Sequence, residues 1–259
     1  MRPRILISAM FSAVIAAGLA LVITVFPGTA SAQGVTTEAS ADGPAQTAYA
    51  PPGGKGRVVM VLSGHSGPSH YTTDAAAIAK LGYYAVLLDV KDILAADGQG
   101  GERLRQATAR AQASPNAVPG KVAVVGYSQG GGGALAYATQ MPNTVAGIVV
   151  YYPQTEFILR RSDVKTFVAK FKVPVLMMAG EADVYNNCCL IDTARSIDAA
   201  AHDAGVALEF VSYPGAKHDF NHSEYAAARK LPPGLGYDSG AESDAWKRTT
   251  AALAKYLAE

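Results

Sequence analysis

The segment Lys121-Val122-Ala123-Val124-Val125-Gly126-Tyr127-Ser128-Gln129-Gly130 runs a short apolar, β-branched stretch directly into glycines, and an alanine-rich stretch follows from Gly131. A chain can pass from strand to helix in so few residues only where side chains do not obstruct the turn, and glycine meets that condition because it lacks a Cβ. The pattern Gly126-x-Ser128-x-Gly130, with strand before and helix after, lifts one serine hydroxyl clear of a sheet at a helix N-terminus. The chain must therefore contain a strand that feeds a helix across a sheet, which points to the alternating α/β class.

The rest of the sequence agrees with this. From Lys55 onward, short apolar runs alternate with longer stretches of helical composition, the pattern of a mostly parallel sheet covered by helices on both faces. Strands are predicted over Arg57–Leu62, Tyr83–Leu88, Lys121–Gly126, Val145–Tyr152, Val173–Ala179 and Leu208–Tyr213. Helices are predicted over Thr73–Leu81, Gly101–Ala113, Gly131–Gln140, Asp163–Phe171, Ile191–Ala204 and Ser243–Leu257. With 259 residues, 49% of them apolar and 17% charged, the chain has the material for one large core. The 22 basic residues nearly balance the 21 acidic ones, without long runs of either sign, so no phosphate-neutralising surface and no nucleic-acid partner are implied.

The first 32 residues read as a targeting segment outside the fold. Arg2 and Arg4 form a basic start, Ile5–Phe26 is almost wholly apolar, Pro27-Gly28 breaks a helix, and Ala30-Ser31-Ala32 supplies the small-x-small cleavage pattern. Export, to a periplasm or out of the cell, is the expectation. An uncleaved segment would instead tether the domain to a membrane, because its apolar run is long enough to span one. Residues 33–54, rich in Ala, Thr, Ser, Gly and Pro, are predicted to be a disordered or extended linker, so the folded domain is expected over 55–259.

A serine hydroxyl becomes a useful nucleophile when a histidine can take its proton and a carboxylate holds that imidazole in the right tautomer. In folds with this strand–serine–helix turn the order along the chain is Ser, acid, His, each after a strand. Asp183 follows the strand ending at Ala179 and His218 follows the strand ending at Tyr213, so Ser128, Asp183 and His218 are the predicted catalytic set. Glu181 is the competing acid and His222 the competing base. The amide of Gln129 and the backbone of His65, in the glycine-rich loop after the first strand, are the predicted oxyanion donors, with Ser66 next to His65 in line. His218 and His222 also stand at the i, i+4 spacing of zinc-binding histidine pairs, but Pro214-Gly215 upstream disfavours the helix that such a pair needs. No metal or cofactor is called for. Cys188 and Cys189, the only cysteines, are adjacent, which leaves a vicinal disulfide, two free thiols or an intermolecular bridge.

Gly126-Tyr127-Ser128-Gln129-Gly130-Gly131, Gly180-Glu181-Ala182-Asp183 and Tyr213-Pro214-Gly215-Ala216-Lys217-His218-Asp219-Phe220 together resemble the signature stretches of the dienelactone hydrolase family. The loop at Gly64–Gly67, the Leu81–Tyr84 turn and the closing segment through Trp246 are similar to the same family, so the resemblance spans nearly everything after Lys55. It implies an α/β-hydrolase fold, a small-molecule ester or lactone substrate, and Ser128, Asp183 and His218 in the nucleophile, acid and base positions. The founding members carry a cysteine where this chain has Ser128, which puts dienelactone itself in question as the substrate. Gly130–Gly133 is also similar to polyester hydrolases and cutinases. A binding protein that keeps the fold without the chemistry is the reading from another class. The loops 92–102 and 223–244 are expected to wall the pocket, and the oligomeric state is left open.

Overall fold

The computed structural model describes residues 34–38, 43–160 and 162–258. In chain order the elements are β1 (Val35–Glu38), β2 (Gln46–Tyr49), β3 (Gly56–Leu62), α1 (Thr72–Lys80), β4 (Tyr84–Leu88), α2 (Val90–Ile93), α3 (Gly100–Gln112), β5 (Ala117–Tyr127), α4 (Gln129–Tyr137) and β6 (Val145–Tyr151). Then follow α5 (Glu156–Leu159), α6 (Val164–Val168), β7 (Val175–Gly180), α7 (Ile191–Asp203), β8 (Leu208–Tyr213) and α8 (Ser239–Tyr256). The strands form one sheet in the order β1-β2-β4-β3-β5-β6-β7-β8. From β4 to β8 every neighbouring pair is parallel, and at the other edge β2 runs antiparallel to both β1 and β4.

The two-residue period of the strands divides the apolar side chains between two layers. Val58, Met60 and Leu62 of β3, with Val122 and Val124 of β5, face a cluster that takes in Leu104 and Ala107 of α3, Leu135 of α4 and Ile197 of α7. Val59, Val61, Ala123 and Val125 face the opposite cluster, which takes in Ala75 and Ile78 of α1 and Ala245 and Leu253 of α8. Strands buried on both faces must be apolar at every position, and this is why β3 to β7 read as continuous apolar runs rather than alternating ones.

All six predicted strands are present. β5 starts earlier than expected, at Ala117, and carries Pro119 and Gly120 past a register shift opposite Arg57–Val59. α8 also starts earlier, because the Asp238 carboxylate accepts the Ala241 amide at 2.9 Å and caps the helix there. The linker expectation for 33–54 is corrected. Gln46–Tyr49 pairs antiparallel with β4, buries Ala48 and Tyr49, and sends the Gln46 amide to the Ala107 carbonyl of α3 at 2.6 Å. Four residues, two of them polar, are too short to show a period, and this edge strand is specified by its neighbour. The segment 1–32 lies outside the described residues; among those described, no helix is long and apolar enough to cross a membrane.

Candidate active site

β5 ends at Tyr127 and α4 begins at Gln129, so Ser128 is the whole connection, and it adopts φ 50° and ψ −115°. A non-glycine residue in that region is strained by on the order of 1–3 kcal/mol and needs surroundings that hold it. Here the Ser128 amide donates to the Tyr151 carbonyl at 3.0 Å, and the Ser128 carbonyl accepts from the amides of Gly132 (3.0 Å) and Gln154 (2.8 Å). The flanking glycines are required by contact. A Cβ on Gly126 would lie 2.5 Å from the Gly130 carbonyl oxygen, and one on Gly130 would lie 2.3 Å from that of Leu62.

The sheet brings the three predicted side chains together at its carboxyl edge. His218 Nε2 is 3.0 Å from Ser128 Oγ, and His218 Nδ1 is 2.7 Å from Asp183 Oδ2. A carboxylate facing Nδ1 requires the proton there, which leaves the Nε2 lone pair to accept from the serine hydroxyl. The other Asp183 oxygen accepts the Tyr185 amide at 3.1 Å. His218 is positioned through its backbone, donating to the Gly234 carbonyl at 2.7 Å and accepting from the Gly236 amide at 3.0 Å. Its ring lies between Tyr185, stacked at 5.0 Å, and Tyr152 at 4.7 Å. Ser128, Asp183 and His218 are all buried. Burial pushes the Asp183 carboxyl above its ordinary value, opposed by the bond from His218.

The competing positions lie elsewhere. Glu181 accepts from Arg195 at 2.9 Å and from Ser212 at 2.7 Å, on the outer side of the same loop. His222 stacks on His70 with ring centroids 4.0 Å apart and bonds Glu224 at 3.2 Å. The segment from His218 to His222 is not helical, so the zinc-type i, i+4 placement does not form. Among the described residues, two sets of three ligand-type side chains do approach within 4.8 Å: Cys188, Cys189 and His218, and His70, His222 and Glu224. In the first set both sulfurs are joined in a vicinal disulfide and both imidazole nitrogens have partners. In the second, the two imidazoles stack 16° from parallel and both Nδ1 atoms face one Glu224 oxygen, at 3.6 Å from His70 and 3.2 Å from His222.

The predicted oxyanion donors flank the serine. Gln129 opens α4, where the amides of the first turn have no partner within the helix. His65 has an exposed side chain and follows Gly64, whose Cβ position is 3.2 Å from that of Ser128. That glycine cannot be replaced either, since the same Cβ would meet the Tyr71 hydroxyl at 2.2 Å. Tyr71, which the loop after the first strand offers as a pocket residue, crowds this centre with Tyr152 and Tyr185, and nothing in the local sequence of the latter two marks them for it. A cleft of about 660 Å³ opens nearby, between α1 and α8, lined by His70, Asp74, Asn221, His222, Glu242 and Trp246 among others. Ser223, Glu224 and Glu242 of the predicted 223–244 wall line that cleft, which none of Ser128, Asp183 and His218 lines; 92–102 does not line it, its last three residues opening α3 and Asp97 pairing with Arg103.

Residues 91–257 match the profile of the dienelactone hydrolase family. Solved structures of the same fold include a dienelactone hydrolase-like promiscuous phosphotriesterase, P91, from metagenomic libraries (19% identity, TM-score 0.68, covering 87% of this chain and 98% of that one). A dienelactone hydrolase-like protein from Klebsiella pneumoniae subsp. pneumoniae MGH 78578 is similar over 87% of this chain and 99% of its own, at 22% identity and TM-score 0.68. Esterase 2 of Thermogutta terrifontis, solved phosphonylated by sarin, covers 90% of this chain and 99% of its own at 17% identity and TM-score 0.61. No curated protein matches the chain. With the family profile covering more than half of its length on an α/β-hydrolase architecture, this chain belongs to the dienelactone hydrolase family of hydrolases.

Proposed function

We propose that the protein is an exported serine hydrolase that cleaves carboxylic esters or lactones through an acyl-enzyme. The observation that carries this reading is the unbroken chain from Ser128 Oγ through His218 to Asp183, at 3.0 and 2.7 Å, on a strand-to-helix turn. Ser128 Oγ attacks the substrate carbonyl as its proton passes to His218 Nε2, and Asp183 holds the imidazolium by its Nδ1 proton. The amides of Gln129 and His65 receive the negative oxygen of the tetrahedral intermediate. His218 then gives its proton to the leaving alcohol, the acyl-enzyme forms, and a water repeats the sequence to release the acid. None of these steps needs a cofactor or metal. A dormant cysteine is a different device from a serine in standing contact with its base, so simple esters are the favoured substrates. Export rests on the composition of residues 1–32, and amino-terminal sequencing of protein from the native host should find Gln33 first; a retained Met1 would mean a membrane tether.

Hydrolysis of p-nitrophenyl esters of increasing chain length, with Ser128→Ala alongside, tests the chemistry. Turnover by the parent and a loss on the order of 10⁶-fold in kcat in the variant are expected. A parent that neither turns over esters or lactones nor reacts with a fluorophosphonate would be a binding protein on a hydrolase fold.

A further inference from the structure

Asp219, the residue after His218, is not used by the mechanism above. It is 95% buried and adopts φ 56°, a left-handed conformation that aspartate and asparagine tolerate better than most residues. Its Oδ2 faces His70 Nε2 at 3.7 Å and the Tyr225 hydroxyl at 3.5 Å. Its Oδ1 is fully buried, has no hydrogen-bond partner, and lies 3.9 Å from His218 Nε2. A buried carboxylate oxygen without a donor is a cost to the resting protein. It stands beside the one nitrogen that is unprotonated at rest and carries a proton while the tetrahedral intermediate exists.

We propose that Asp219 is a second anion of the active site, a positioning residue that acts through His218 by stabilising the imidazolium formed when Ser128 attacks. In the resting enzyme Nε2 presents a lone pair, and Asp219 Oδ1 gains nothing from it. When the Oγ–carbon bond forms and the serine proton moves to Nε2, the imidazole becomes a cation between two carboxylates, Asp183 at Nδ1 and Asp219 beside Nε2. An interaction present only after proton transfer lowers the barrier rather than merely tightening the ground state. Burial works to raise the Asp219 carboxyl, but the close approach of His70 and the charges of His218, His222 and His70 hold it below its ordinary value, so it is an anion near neutrality.

The titratable groups around this pair are countable. His218 faces Ser128, Asp183, Asp219 and the rings of Tyr152 and Tyr185. Asp219 faces His70 and Tyr225, with His222 adjoining, and Glu224 and Asp74 act on His70 from behind.

The inference rests on the serine-hydrolase reading, and one experiment separates the two. The second-order rate of Ser128 labelling by a fluorophosphonate is measured from about pH 4.5 to 9 for the parent, Asp219→Asn, Asp219→Gly and His70→Gln. Asn preserves the shape, and Gly suits the positive φ, so at least one of these variants should fold. In both Asp219 variants the plateau rate should fall about tenfold, and the acid limb should move down by about one pH unit, the same free energy read twice. A lower plateau with an unmoved limb would mean that Asp219 only supports the fold, and would overturn the proposal. So would a limb that disappears in His70→Gln, since the titrating group would then be His70. If the parent itself is not labelled, the serine-hydrolase reading fails and takes the role of Asp219 with it.

Discussion

Ser128 reaches the site from an eleven-residue strand and the helix that follows it without a linker, whereas His218 arrives on the loop from Pro214 to Asp238, which holds a 3₁₀ turn at Ser223–Ala227 and a one-residue bridge between His218 and Leu235. Around Ser128 the restraints come from the backbone: glycines packed against carbonyls, and main-chain bonds to Tyr151, Gly132 and Gln154. Around His218 they come from polar side chains, running through Asp183, Asp219, His70 and the Asn221 bridge from Tyr152 to Asp74. A nucleophile needs one fixed orientation, which rigid packing supplies. A base that gains and loses a proton needs charges arranged about it, and only residues from several loops can supply those.

The comparison can be broken first at the polar end. Asp183→Asn leaves the shape intact but turns the imidazole to the wrong tautomer, and kcat should fall about 10⁴-fold in an ester assay while Tm barely changes. At the steric end, Gly130→Ala places a methyl group 2.3 Å from a backbone oxygen that cannot step aside. A loss of about 3 kcal/mol or more in urea unfolding is expected, and a smaller one would show that the turn is less tightly held than described. Asn221→Ala cuts the bridge formed by the Tyr152 hydroxyl at 2.7 Å and the Asp74 carboxylate at 3.0 Å. It should cost about 1–3 kcal/mol, with kcat/KM reduced far less than in Asp183→Asn.

The smallest effect concerns pH. The Asp219 carboxylate, 3.7 Å away, raises His70 above its ordinary value of 6.5, against the opposing pull of burial. The stability that His70 contributes is therefore complete below about pH 6.5 and is lost as pH rises through the folded-state value. Thermal unfolding of the parent and His70→Gln should differ most near pH 5.5–6, by no more than about 2–4 °C, and converge toward pH 8. A gap that widened toward pH 8 would reverse the sign of this coupling.

The legible parts of the site are those with a local cause. Ser128 was readable because its turn needs glycines at fixed offsets, and Asp183 and His218 because parallel strands end near them in the expected order. His222 is a rival to His218 in sequence, being four residues away with the same chemistry; the tertiary structure separates them, giving His218 the contacts to Ser128 and Asp183 and leaving His222 stacked on His70. Asp219 had no signal at all, since a buried carboxylate and a solvated one read alike in sequence. The same holds for β2, whose Gln46-Thr47-Ala48-Tyr49 becomes a strand because β4 offers it an edge.

By itself, then, the amino-acid sequence determined the alternation of strands and helices, the turn that exposes Ser128 and the order of the three polar residues, because period, glycine placement and strand ends act over a few residues. The tertiary structure alone decided which carboxylates surround His218, that Tyr152 and Tyr185 enclose it, and that Cys188 and Cys189 bond to each other beside it. Asp183, Tyr152, Tyr185 and the disulfide reach His218 from distant segments, and that geometry is set only when the whole sheet closes around its two apolar layers.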